Sequence, residues 1–134
     1  SGVPQGSVLG PTLFIYFIND LPLTTTVETK IFADDTKVYH GIQNEGNVQK
    51  LQESIDAMFE WTQKWLLKFN KEKCKLLHIG ESNKKNKYFI GTGDHRVPLD
   101  VTELEKDLGV YIDPKLNFKN HIKNAVKKSK LHKL

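Results

Sequence analysis

Two adjacent carboxylates, Asp34 and Asp35, and a glycine- and proline-rich loop, Gly2-Val3-Pro4-Gln5-Gly6-Ser7-Val8-Leu9-Gly10-Pro11, are the residues of this chain best suited to chemistry. Two carboxylates at one turn can bind a divalent cation such as Mg²⁺, which takes hard oxygen ligands and keeps several waters. Adjacent strand residues point to opposite faces, so one Asp enters a shared site, and a two-metal centre needs a further carboxylate from elsewhere. The same dipeptide is also a favourable turn pair with no ligand at all. In the loop, Gly6 and Gly10 permit close backbone approach, while Pro4 and Pro11 stiffen the chain. Such a loop can present N–H groups and Gln5 to a flat or anionic ligand, or be an ordinary tight entry into a helix.

The elements that must position these residues follow from pattern. Gly10-Pro11 predicts a break and a helix start, with the helix over 12–20 and an end at Leu21-Pro22. Residues 29–33 and 36–40 are two β-prone runs. Asp34 and Asp35 lie between them, the length of a tight hairpin turn. Val48, Leu51, Ile55, Met58, Thr62 and Trp65 recur at helical spacing and predict a long amphipathic helix. Further on, 73–79 predicts a strand, 88–90 and 96–99 a hairpin around 91–94, and 107–112 another strand stopped by Pro114. Asn117 can cap a last helix. There Phe118, Ile122, Ala125, Val126 and Ser129 make one stripe, and Lys119, Lys123, Lys127 and Lys130 its neighbour, with no acid after Asp113. These ammonium groups repel one another unless an anion neutralises them, and phosphates are suitable.

Composition narrows the class. The 134 residues suffice for one domain with a modest core. The single cysteine, Cys74, excludes an internal disulfide and fits a reducing, intracellular setting. No apolar run is long enough to span a membrane, and no signal peptide is visible. The net charge of +4 hides an asymmetry: residues 1–63 hold three Lys/Arg against eight Asp/Glu, and residues 64–134 hold seventeen against eight. An acidic half with an Asp pair joined to a basic half suits a metal site beside a polyanion track, although surface lysines also serve solubility. Trp61 and Trp65, one helical turn apart, read as core residues, and Cys74 as a small packing residue. The five histidines show no ligand spacing with Cys74, which argues against zinc.

Four blocks, "SGVPQGSVLGP", "FADD", "KFNKEKCKLLHIG" and "KDLGVYID", occur in one order with fitting spacings. Together they closely resemble the reverse transcriptase domain of non-LTR retrotransposons of the LINE, jockey and CR1-like type, over essentially the whole chain. The resemblance implies an α+β fold: the C-terminal portion of a right-hand polymerase palm, antiparallel strands packed on helices, over 1–113, running into a basic helix at the start of the thumb over 114–134. It implies an RNA-directed DNA polymerase that uses Mg²⁺ or Mn²⁺, an RNA template, a DNA primer and deoxynucleotide triphosphates. Asp34 matches the metal ligand of the catalytic turn and Asp35 its partner. Pro4, Gln5 and Gly6 fall in the loop that packs on template and nucleotide, with Phe32 and Ala33 near the incoming sugar. Lys73 is a candidate for protonating the leaving pyrophosphate, or else a solvated phosphate contact. Leu108 and Gly109 centre the hairpin that holds the primer end, and Lys119, Lys123, Lys127 and Lys130 would grip the duplex backbone. The family's first catalytic strand, which bears another essential Asp, lies upstream of the opening block. The expectation is therefore a fragment that binds metal poorly and does not polymerise alone, with an unpaired sheet edge. A non-catalytic nucleic-acid-binding remnant or domesticated module is the alternative. The compartment expected is nucleus or cytoplasm; the element class works at chromosomal DNA, so the resemblance implies the nucleus.

Overall fold

The computed structural model describes residues 6–67 and 70–131, with side chains through Lys127. The chain falls into two units, one from residues 1–69 with 89–97, the other from 70–88 with 98–134.

In the first unit, α1 (Leu9–Ile18) is followed by a 3₁₀ turn (Leu21–Thr24), an antiparallel hairpin of β1 (Glu28–Phe32) and β2 (Asp35–Tyr39), and α2 (Glu45–Lys64). The first helix starts earlier than its proline suggests. Ser7 Oγ accepts the Gly10 N–H at 3.0 Å, and Pro11 sits in the first turn, where an N–H has no helical acceptor. Helix α2 opens with a reciprocal cap. Asn44 Oδ1 accepts the Asn47 N–H at 3.0 Å, and Asn47 Oδ1 accepts the Asn44 N–H at 3.3 Å.

The core of this unit is Leu21, Met58 and Trp61, with Phe17, Ile18, Ile31, Val38 and Leu67 packed against it. Phe17 stands edge-on to Trp65 at 5.2 Å and tilted to Trp61 at 5.5 Å. Trp61 is buried as expected, whereas Trp65 is 45 % exposed and covers the rim of that cluster. Much of α1 faces outward: Ile15 is 64 % exposed and Tyr16 84 %.

Residues 89–97 complete the unit. Strand β4 (Phe89–Ile90) pairs with β5 (Val97–Pro98) around a 3₁₀ turn (Gly93–His95), the hairpin read from the sequence. The Gln52 side-chain amide acts as a strand for Phe89, accepting its N–H and donating to its carbonyl, both at 2.9 Å. Beside it Arg96 Nη2 meets both oxygens of Asp56 at 3.2 and 3.0 Å.

The second unit begins with a 3₁₀ turn (Lys71–Lys73) and β3 (Lys75–Leu77), so the strand expected over 73–79 is shorter. The Asn70 side chain accepts the Lys73 N–H and caps that turn, which keeps Lys73 out of the ladder. Strand β3 pairs in parallel with β6 (Asp100–Thr102), a strand the sequence did not reveal. The single strand expected over 107–112 is instead an antiparallel hairpin, β7 (Glu105–Asp107) and β8 (Val110–Ile112). Asp113 Oδ1 accepts the Lys115 N–H at 2.9 Å and steers the chain toward α3 (Lys119–Leu131), where Asn117 Oδ1 accepts the Lys119 N–H at 3.0 Å. Among the described residues every sheet has two strands, so β1 and β2 each leave one edge without a strand partner. No helix of the described residues is long and apolar enough to cross a membrane.

Candidate active site

The β1–β2 register decides where the two carboxylates stand. Thr29 pairs with Val38 and Ile31 with Thr36, which turns Ile31 and Val38 to the core face. A slip of one residue between the strands would turn one of the two to solvent, so packing against the core opposes it. It runs to Phe32 opposite Asp35. The two-residue turn is therefore Ala33-Asp34, one residue earlier than the Asp34-Asp35 turn expected. Asp34 sits at the tip, and Asp35 is the first residue of β2, on the outer face with Phe32, Lys37 and Tyr39. Both carboxylates are exposed. Ala33 adopts φ 52°, the left-handed region that an L-residue other than glycine takes only at a cost.

At the far end of the same outer face Tyr39 Oη donates to Glu28 Oε1 at 2.7 Å, with Lys30 Nζ at 3.4 Å. The Tyr39 hydrogen bond, aided by Lys30, holds the Glu28 carboxyl below its ordinary range. The same bond to an anion pushes the Tyr39 hydroxyl up.

The donor chemistry of the tip fits a hard cation: Asp34 and Asp35 offer exposed carboxylate oxygens, and solvent can fill the remaining positions. Among the described residues no group of three His, Cys, Asp or Glu side chains converges to complete a cage. Pro4 and Gln5 lie outside the described residues. Gly6, at φ 83°, has open space where a Cβ would be, so its need for glycine is conformational.

The remaining predicted residues belong to the second unit. Lys73 is exposed at the end of its 3₁₀ turn rather than on a strand. Nearby, Cys74 is half-buried, its Sγ 3.3 Å from the Asn70 carbonyl, and burial pushes its thiol up. Leu108 and Gly109 form the two-residue tip of the β7–β8 hairpin, with φ 46° and 88°. Two successive positive φ values give the turn whose twist matches a hairpin. Lys119 and Lys123 line an open groove of about 330 Å³ with Glu103, Asp113, Asn117 and Asn120. Lys115 joins them; it stands directly after the strand-stopping Pro114, four residues before the lysine stripe of α3. Lys127 is exposed, and the Lys130 side chain lies outside the described set. The neighbouring apolar stripe is open as well, with Ile122 59 % exposed.

Residues 1–128 match the family model of the reverse transcriptase (RNA-dependent DNA polymerase). The RNA-directed DNA polymerase from the mobile element jockey of Drosophila melanogaster is 34% identical over 134 residues, covering 92% of this chain and 14% of its own length. Its counterpart from Drosophila funebris is 34% identical over 131 residues, covering 91% of this chain and 14% of its own length. The probable RNA-directed DNA polymerase from transposon BS of Drosophila melanogaster is 30% identical over 142 residues, covering 96% and 15%. The chain thus spans a small part of the length of the curated relatives it matches. No solved structure matches it significantly.

Proposed function

This chain belongs to the reverse transcriptase (RNA-dependent DNA polymerase) family, in the jockey-like group of non-LTR elements, and from that premise we propose that it supplies the catalytic turn of an RNA-directed DNA polymerase. The reaction would add deoxynucleotides to a DNA primer on an RNA template. The observation that carries the reading is the exposed Asp34 carboxylate at the tip of a tight hairpin, inside the sequence Phe32-Ala33-Asp34-Asp35.

In this reading Asp34 is the ligand for Mg²⁺ or Mn²⁺ and Asp35 assists from the start of β2. The ion, when bound, supplies positive charge against the nucleotide phosphates and lowers the cost of forming an alkoxide at the primer end. The protein's own part is positional. The core-locked register of β1 and β2 holds both carboxylates at a fixed height, and the exposed Phe32 beside them offers an apolar face to a sugar or base. The Pro4-Gln5-Gly6 loop would pack on template and nucleotide. Lys73, fixed through its backbone to Asn70, can place an ammonium against the departing diphosphate, either as proton donor or as phosphate contact. The Leu108-Gly109 tip would hold the primer end. Residues 1–113 would be palm and 114–134 the start of the thumb, with Lys119, Lys123, Lys127 and Lys130 on the duplex backbone.

A second reading is a nucleic-acid-binding module without catalysis, favoured by the lysine-lined groove at the start of α3. One experiment separates the two. Residues 1–128 replace the matching segment of the jockey polymerase, and primer extension on an RNA template is measured with Mg²⁺. Extension that Asp34→Asn abolishes supports the catalytic reading, and extension unaffected by Asp34→Asn overturns it. Salt-dependent binding without any extension supports the module.

A further inference from the structure

The loop between β3 and β4 carries three lysines in four positions, Lys84, Lys85 and Lys87, all exposed, and no role above uses them. The loop is built. Asn83 Nδ2 donates to the Ile79 carbonyl at 3.2 Å, and Asn83 Oδ1 accepts the Lys85 N–H at 2.9 Å. One side chain thus folds the segment into a turn that presents Lys85 at φ 53°. Both ends are tied down within the same unit. The Gly80 N–H donates to the Pro114 carbonyl at 2.9 Å, and the Leu99 N–H to the Tyr88 carbonyl at 2.8 Å.

The first of these ties sets the loop beside the entrance to α3. Glu81 Oε1 lies 3.6 Å from Lys115 Nζ, and Lys115 lines the groove with Lys119 and Lys123. Lys84, Lys85 and Lys87 of the loop join Lys115, Lys119, Lys123 and Lys127 at α3, seven lysines, with Glu81 in the loop and Glu103 and Asp113 lining the groove. Lys85 already acts at a distance, since its charge helps to disfavour protonation of His78.

We propose that Lys84, Lys85 and Lys87 extend the α3 lysines into one continuous binding track for a nucleic-acid phosphate backbone, with Glu81 limiting its strength by occupying Lys115. This rests on the polymerase reading only in the choice of nucleic acid as the polyanion. Backbone contact of this kind is independent of sequence and is measured by counterion release, about 0.9 in salt slope for each phosphate neutralised on a duplex.

The test is equilibrium binding of the whole chain to a labelled RNA–DNA duplex of arbitrary sequence at 50–200 mM salt. Replacing Lys84, Lys85 and Lys87 together by Gln is expected to lower the slope of log K against log salt by about 2 to 3. A charge-matched control, Lys30, Lys50 and Lys64 to Gln in the first unit, should leave the slope unchanged. Glu81→Gln should tighten binding about twofold or more. Equal losses in both triple variants would reduce the effect to net charge and overturn the track. An unchanged slope in the loop variant, with a lowered one in Lys119→Gln/Lys123→Gln, overturns the loop's part while leaving the polymerase reading intact. Failure of that reading shows instead in primer extension with Asp34→Asn. Amine acetylation of the unaltered chain gives a second readout: bound duplex should protect Lys84, Lys85 and Lys87 and leave Lys50 and Lys64 reactive, and the reverse pattern overturns the proposal.

Discussion

Phe32 and Asp35 face one another across the last rung of the β1–β2 ladder, which leaves Ala33 and Asp34 as the whole of the turn. Ala33 bears the strain of that closure at φ 52°. A left-handed L-residue costs about 1–2 kcal/mol, and glycine gives back about 0.5–1 in lost backbone freedom. Ala33→Gly should therefore raise the urea midpoint by a stabilisation of up to about 1.5 kcal/mol, with the denaturant slope unchanged. Ala33→Val should lower it.

Gln52 satisfies both main-chain groups of Phe89. Gln52→Ala removes donor and acceptor at once and leaves the Arg96–Asp56 pair to hold the hairpin. A loss of about 1–2 kcal/mol is expected, since the groups left behind regain some water. Amide exchange at Phe89 should quicken, whereas the amides of β1 and β2 should keep their protection.

Asn44 opens α2 through a side-chain bond to the Asn47 N–H. Asn44→Ala should cost about 1 kcal/mol in urea unfolding, and Asn44→Asp much less, because a carboxylate also caps and favours the helix N-terminus.

His78 is buried, and its Nε2 has no hydrogen-bond partner among the described residues. Burial, with help from Lys85, depresses its pKa below the ordinary 6.5, against opposing contributions from Asn83 and Glu103. The unfolded chain thus binds a proton at a pH where the folded chain does not. Stability from this group is complete above about pH 6.5 and falls as pH drops below it. Urea titrations between pH 5 and 8 should show that decline, and His78→Asn should flatten it.

Periodicity made some of the fold legible. The apolar spacing from Val48 to Trp65 marked α2, because that period reports contact with one core, and the β-prone runs 29–33 and 36–40 with a two-residue link marked the hairpin. The turn was misplaced by one residue, since Asp-Asp is better turn chemistry than Ala-Asp and both placements keep Ile31 and Val38 on one face, so the apolar pattern does not choose between them. Strand β6 was hidden because Asp100-Val101-Thr102 has no run of its own and draws its order from β3. The β7–β8 hairpin was read as one strand because Leu108 is a poor residue for the first position of its turn, although the family resemblance implied a hairpin there. Of the candidate site, the tip position of Asp34 was legible. The place of Lys73 was not, since the Asn70 cap that removes it from the strand is a side-chain event.

The parallel pairing of β3 with β6 also sets a timetable for biosynthesis. Lys75 lies opposite Asp100, so β3 leaves the ribosome without its mate and waits for 25 more codons. At roughly 5–20 residues per second that wait lasts roughly 1–5 s. Through it Leu76 and Leu77 stand ready to pair with any other nascent strand. Slow codons over 78–99 lengthen the exposure, so the soluble yield of this protein should depend on elongation speed across a stretch that contributes no residue to the pair itself.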